Sequence, residues 1–551
     1  MKKTKIILFA ILTAFAGLYV FSEAPTLNPL YFDGALFWAT LVTVYLGLWG
    51  LLKIGELTFN SSTAANGQTP FTYNKKGSMP KILKIVIAVP WLFIGIMIIY
   101  GTVLFQWKAY RDQLGNTTVR KFTNEIQAVD TSQIPIVDED LALKLANKKL
   151  GERPSLGSQV YLRDATIQMV DGKLVWVAPL YHSGFFKWFM NMEGTPGYII
   201  ISATNVNDVQ YVEGFKIKYH PGSYLLFDVA RKVRFGPGLM DGITDYSFEL
   251  NDDGAPYWVI STYKNLKGFN LPEATGVILL NATTGEIEKY TIENIPKWID
   301  RVQPESFILN QINNKGNYVK GIFNFSDKDK YKTSQGHNIV YNNEKCYLFT
   351  GLTSVGSDES AIGFMMVDMV TKEPILYEMS GATEYAAMSS AEGKVQDLKY
   401  WATFPIILNI DSQPTYFMTL KDGAGLIKQY AFVSVVNYSS VGTGESVTEA
   451  LRDYEAKLRG DGIYTDFTNA GEGKDIQGTV LRIAAEVTSE TTVYKIILAE
   501  HKDMIFAAPY SLSEELALTQ VGDKVSITYS VSGSSAQIVI KFDNLEFSQA
   551  A

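Results

Sequence analysis

Four histidines, one cysteine and scattered carboxylates are the groups with which this 551-residue chain could do chemistry. His182 and His220 each follow a tyrosine (YHSG, YHPG), His337 sits in the polar SQGHN, and His501 in EHKD. None has a partner at metal-ligand spacing and there is no HExxH, so each reads as a loop residue rather than a ligand. The lone Cys346 rules out an intramolecular disulfide and a cysteine metal cluster. Paired with His337 it would make a nucleophile and base, but its place inside the apolar run KCYLFTG marks a structural thiol. The serine of LTSVGSD lacks the first glycine of a nucleophile elbow. Asp252 and Asp253 suit a turn, and Asp327 and Asp329 lack the glycine and glutamate of a calcium loop. The GTG at Gly442–Gly444 is not followed by Gly-Lys, so no phosphate cradle is expected. The expectation is a chain with no catalytic, cofactor-binding or metal residue, and not an enzyme.

One stretch is out of the ordinary. HSGFFKWFMNMEGTPG gathers Phe185, Phe186, Trp188, Phe189, Met190 and Met192 into a loop-like insertion too apolar to be left in water. Two readings stay open: it packs beneath another part of the protein, or it touches the membrane or a partner. Phe185, Phe186, Trp188, Phe189 and Met190 are therefore the candidate contact residues. The polar loops NLKGFNLPEAT, TSVGSDESAI and KDGAGLIK fall at equivalent points elsewhere in the chain.

These residues sit in a repeated strand grammar. A turn opens an aromatic, β-branched strand, a loop follows, and a second apolar strand ends in another turn. The copies start at Asp171-Gly172, Asp253-Gly254, Asn343 and Asp411, and helix-like sequence precedes each: EDLALKLANKKLG, YLLFDVARKVRFG, ESFILNQINNKGNYVKG and ATEYAAMSSAEGKV. One unit is then a helix and a meander of three or four strands, an α+β layer.

Alanines four apart (Ala142 and Ala146; Ala382 and Ala386), a DG-type turn, and an apolar strand running into TTGEIEKY together resemble the PepSY module of bacterial envelope proteins. The resemblance covers roughly residues 136–457 and implies a module that restrains peptidases or assists envelope assembly, without catalytic residues. The whole chain also resembles a bacterial or phage membrane-anchored protein.

A helix, VTEALRDYEAKL, closes the units, and RGDGIYTDFTNAGEGKD reads as a linker. Three strands, a short helical SEELALTQ and two more strands then follow in the order of an OB-like barrel. Residues 471–551 hold six basic and eleven acidic groups, so no nucleic-acid stripe is expected there.

Three apolar runs come first: Ile6–Phe21, Ala35–Leu52 and Ile82–Phe105, near the ~20 residues that span a bilayer. Residues 1–105 carry eight lysines and three acidic residues; of the 49 basic and 57 acidic residues in all, 41 and 54 remain beyond them. Lysines cluster before the first run and between the second and third, which places both segments in the cytoplasm and residues 106–551 outside it. The first run is read as a retained anchor rather than a cleaved signal. The expected fold class is α+β. It comprises a three-helix membrane anchor (1–105), an amphipathic stalk (106–135), about four tandem helix-plus-antiparallel-sheet units (136–457), a linker (458–475) and a C-terminal all-β OB-like barrel (476–551).

The expected role is extracytoplasmic binding or scaffolding in the cell envelope, with the lipid bilayer and an envelope protein as partners. Two rivals are an accessory subunit of a membrane transport or assembly complex, for which Gly47, Gly50, Gly95 and Gly101 would offer packing faces, and an envelope enzyme without a motif. A cluster of titratable groups in one cleft would favour the enzyme.

Overall fold

The computed structural model of the chain describes residues 2–59, 71–75, 77–120, 122, 134–342, 345–355, 361–410, 413–460, 474–487, 492–530 and 536–547. Most of the polar segment between the second and third apolar runs, the later half of the expected stalk, the turns at Asn343 and Asp411, the centre of TSVGSDESAI and the body of the linker lie outside these residues.

Helices α1 (Lys2–Glu23), α2 (Phe32–Ile54) and α3 (Lys81–Tyr100) are long and apolar enough to cross a membrane. α2 packs against both α1 and α3. Of the four glycines, Gly50 is pressed against Leu83 and Met79, and Gly101 against Lys267 and Asn270, while Gly47 and Gly95 have open space beside them. Strands β1 (Gly55–Phe59) and β2 (Phe71–Lys75) form a hairpin after α2. α4 (Val103–Asp112), kinked at Gln106, and β3 (Thr118–Arg120) lead into a mixed α and β body.

Four antiparallel sheets follow in sequence, with α5 (Glu139–Gly151) ahead of the first. Sheet I is β4 (Thr166–Val170), β5 (Lys173–Pro179), β6 (Thr195–Ser202) and β7 (Val209–Ile217), with α6 (Phe185–Met190) between β5 and β6. After α7 (Val229–Arg234), sheet II is β8 (Gly242–Leu250), β9 (Pro256–Lys267), β10 (Asn270–Asn281) and β11 (Ile287–Thr291). After α8 (Glu305–Asn317), sheet III is β12 (Tyr331–Thr333) and β13 (Asn338–Asn342), both on β14 (Lys345–Ser354), then β15 (Ala361–Asp368) and β16 (Pro374–Gly381). After α9 (Glu384–Lys394), sheet IV is β17 (Trp401–Ala402) and β18 (Ile406–Ile410), both on β19 (Gln413–Lys421), then β20 (Ile427–Ser434) and β21 (Val441–Gly444). α10 (Val447–Gly460) closes the series. Five further strands, β22 (Lys474–Val487), β23 (Thr492–Leu498), β24 (His501–Pro509), β25 (Lys524–Ser530) and β26 (Gln537–Asn544), join edge to edge as a closed ring in the order β22-β23-β24-β26-β25. Val480, Ile496, Phe506, Val525 and Ile527 fill its interior.

The sheets are stacked side by side with helices wedged between them. α5 covers one face of sheet I, while the other face shares a core with α7 and sheet II. The far face of sheet II packs on Ile299, Val302 and Val370, and α8 lies on sheet III. α9 is enclosed between sheets III and IV, and α10 covers the remaining face of sheet IV. The series then returns to its start. Ile134 and Ile136 pack on sheet IV, Ile427 packs on the core of α5, and the fully buried Lys421 ammonium of β19 pairs with Asp138 at 2.5 Å.

Two expectations are corrected here. The apolar side chains after α3 do not continue as a stalk helix. α4 ends at Asp112, Leu114 is buried against Ile308 and Ile312, and β3 adds a parallel edge to sheet III, because that core offers more burial than an isolated helix in water. In α9 the buried small pair is Ala387 and Ala391; Ala386 is half-buried, and Ala382, though buried, lies outside the helix. Thr383 accepts from the Ala386 amide as N-cap, so Ala382 precedes the helix and the inward face shifts by one residue. In α5, Ala142 and Ala146 are both buried against sheet I.

The Asp138–Lys421 closure is testable. Asp138→Ala leaves an ammonium buried without its counterion and removes the cap on α5, an expected loss of about 3–5 kcal/mol. Lys421→Met leaves only the half-exposed Asp138 unpaired and is expected to cost much less. Thermal unfolding midpoints of the two variants, compared with the parent, check the order; the reverse order refutes it.

Candidate functional site

Strands near the start of all four sheets converge. The amides of Phe248 and Leu250 (β8) donate to Thr166 Oγ1 and Gln168 Oε1 of β4 at 3.3 and 3.0 Å. From β13, Tyr341 Oη lies 3.4 Å from Ile167 O, and Asn338 Nδ2 reaches Phe404 O and Pro405 O just before β18. At this meeting point lies a cavity of about 510 Å³, lined by apolar residues such as Ile167, Trp176 and Phe404 and by the charged Glu139, Arg301, Glu305 and His337. That volume is in the range that holds a small ligand.

Local structure explains why these groups point there. Glu139 and Glu305 are the first residues of α5 and α8, where the exposed amides and helix dipole favour a carboxylate. Arg301 lies four residues before Glu305 and donates to its Oε1 at 2.6 Å, while His337, at the start of β13, lies 2.7 Å from Oε2. Burial alone would raise the Glu305 carboxyl, but the bonds from His337 and Arg301 outweigh it and hold Glu305 below its ordinary value. Glu305 is therefore ionised and accepts a hydrogen bond from His337 Nε2. Glu139 is raised by burial, by Asp164 and by Glu305, and the amide of Ala165 offsets part of this.

A second layer of acids lies deeper. Glu249, 1% exposed, accepts from Ser247 Oγ at 2.6 Å; Asp300 accepts from Tyr341 Oη at 2.6 Å. Among the described residues, Glu249 Oε2 and Asp300 Oδ1 have no hydrogen-bond partner. Burial and the neighbouring Asp300 push Glu249 up from its ordinary 4.5 to about 8, and burial raises Asp300 too. Burial would lower Arg301, yet the acidic groups around it raise its guanidinium above its usual value. Cys346 is buried, and its thiol is pushed well above its ordinary value by burial and by Asp300, so it is a packing residue with no thiolate to offer. The partner of His337 is Glu305, not Cys346.

The sequence-predicted contact residues lie elsewhere and are not a loop. Phe185–Met190 is the helix α6, entered through Gly184 at φ 92° and locked by Trp188, which is 2% exposed against Tyr224 and Phe227. Trp188 therefore faces inward, whereas Phe185, Phe186, Phe189 and Met190 are 46%, 80%, 57% and 80% exposed. His182 and His220 come together, with ring centroids 6.2 Å apart; His220 is buried and lowered to about 3 by desolvation. Among the described residues, no three His, Cys, Asp or Glu side chains are grouped so as to hold a metal ion. Sequence reasoning missed the group Glu139, Arg301, Glu305 and His337. His337 read as an isolated loop residue, and its partners lie on other elements at no motif spacing.

Glu249 sets a pH dependence. With its folded pKa above the unfolded one, the folded state holds a proton that the unfolded state loses, so stability falls as pH rises from about 4.5 to about 8. Glu249→Gln is expected to match the parent near pH 4.5 and to gain on it steadily up to pH 8, read as thermal midpoints across that range. A difference that does not grow with pH refutes the assignment.

No family model matches the chain, and no curated protein matches it. Among solved structures it is similar to a levansucrase variant of B. megaterium at 9% identity, over 74% of this chain and 96% of that one, with a TM-score of 0.19. An alpha-L-arabinofuranosidase from Lactobacillus brevis matches at 9% identity over 69% and 94%, TM-score 0.16. A Synechocystis apocarotenoid oxygenase variant matches at 8% identity over 70% and 65%, TM-score 0.14. Scores this low carry no argument about fold or activity.

Proposed function

We propose that this chain is a membrane-anchored, extracytoplasmic binding protein of the bacterial cell envelope, built from tandem PepSY-like units and an OB-like barrel. Its central cavity receives an amine with an apolar body, such as the amino terminus or a lysine of an envelope protein, an enzyme or peptidase among them. One observation carries this reading. Among the charged groups lining the cavity, Glu305 is paired with Arg301 and His337, Asp138 with Lys421 and Asp140 with Lys144, while Glu139, held by the Ala165 amide, shares the apolar lining of Ile167, Trp176 and Phe404 and has no ion-pair partner among the described residues. A cation or donor completes that set. The lysine-rich segments flanking the first two membrane helices support an extracytoplasmic body.

A second reading, an envelope enzyme, is favoured by His337, whose ring lines the cavity and is held in place by Glu305. The test uses the full chain in lipid nanodiscs, titrated by calorimetry with leucyl-leucinamide and with its N-acetylated form. The free amine is expected to bind at least about tenfold tighter, the worth of one charge-assisted bond of about 1.5–3 kcal/mol, and Glu139→Gln is expected to erase that preference. Binding indifferent to acetylation, or none, refutes the binding reading. Cleavage of the probe that is lost in His337→Asn favours the enzyme.

A further inference from the structure

Beyond the cavity, the body carries two exposed apolar patches, and both are tied to ends of membrane helices. The first is formed by Phe186, Phe189 and Met190 of α6 with Leu225 and Leu226, the last two each 54% exposed. Phe185 and Trp188 pack on Tyr224 with ring centroids 5.1 Å away, so α6 and the 224–227 turn are one piece. Arg231 donates to Leu225 O and lies over the ring of Phe21, at the end of α1, 5.1 Å from its centroid; Phe235 stacks on the same ring at 6.2 Å.

The second patch is Phe323 and Phe325, 74% and 85% exposed, in a segment from Lys320 to Lys332 with four lysines and two aspartates. The ring of Trp107, just past α3, lies against Gly321, and Tyr110 meets Tyr318 at 6.2 Å while donating to Gly101 O at 2.9 Å. α2 packs against both α1 and α3, so one patch adjoins each flank of the helix row. Between them the β9–β10 hairpin tip enters the row: Phe269 meets Phe32 and Phe93 edge-on at 5.6 and 6.4 Å and packs beside Ala35, Ala39 and Ile94. Leu27 N and Asn28 Nδ2 add bonds to Leu239 O and Met240 O at 3.1 and 2.9 Å.

We infer that the body lies down on the bilayer, with the two aromatic patches as feet inserted in the interface of the adjoining leaflet on either side of the helix row. Aromatic rings beside basic residues are what that interface favours, and both patches are anchored at its level by membrane helices. Lipid is therefore the occupant, which commits the open reading of Phe185, Phe186, Phe189 and Met190 and adds Phe323 and Phe325.

The test places single cysteines at Phe186, at Phe325 and at Asp253, the last in the turn at the opposite end of β9 from the hairpin tip. Each is labelled with bimane in the full chain, in nanodiscs of phosphatidylcholine and phosphatidylglycerol with and without acyl chains brominated near the headgroup. The buried Cys346 serves as the labelling background. Quenching of at least about twofold by brominated lipid is expected at 186 and 325 and none at 253, with thermal midpoints like the parent's. Quenching at neither position, or at one alone, overturns the inference. Blue-shifted emission without lipid quenching also overturns it, since protein would then be the cover.

Discussion

Each of the four sheets is apolar on both faces, and the rest of the body follows from that constraint. The strand Gln413–Lys421 is buried at every position but its first, and Lys345–Ser354 and Pro256–Lys267 carry long buried stretches. A sheet with one wet face alternates apolar and polar; these do not, so each needs a cover on both sides. Helices α5, α7, α8, α9 and α10 and the segment around Ile299 supply the covers. Because a cover placed between two sheets serves both, the sheets are drawn together, and the series closes when Ile134, Ile136 and Asp138 reach sheet IV.

Closure has an electrostatic consequence. Sheets that meet by strands near their starts bring charged residues from distant parts of the chain into one poorly solvated centre. Arg301 there is surrounded by Asp300, Glu305, Tyr341 and Cys346. Burial raises both Glu249 and Asp300, and the neighbouring Asp300 adds to the rise at Glu249. The cavity above them inherits this field, and Glu305 stays ionised within it only because His337 and Arg301 bond to it. The ring's geometry thus sets the protonation of the site.

The same body is fastened to the membrane helices by non-covalent contacts as well as by the chain itself. Phe269 packs between α2 and α3, Tyr31 Oη donates to Tyr263 O at 2.6 Å, and Gln113 and Lys372 bridge the end of α4 to Glu273. A body fixed at so many points has little freedom to swing relative to these helices.

Periodicity and turn chemistry in the chain determined much of this. The three apolar helices and the helices at 139–151, 305–317, 384–394 and 447–460 are local signals, written in hydrophobic spacing, caps such as Asp138 and Thr383, and turns such as Asp171-Gly172. The burial of Cys346 was legible from its apolar strand. The tertiary structure alone decided that residues 106–120 join the body, that α6 turns Trp188 inward, and that Glu139, Arg301, Glu305 and His337 share a cavity. Those outcomes depend on pairings between residues tens to hundreds of positions apart, and spacing along a chain does not encode which distant faces will complete one another's burial.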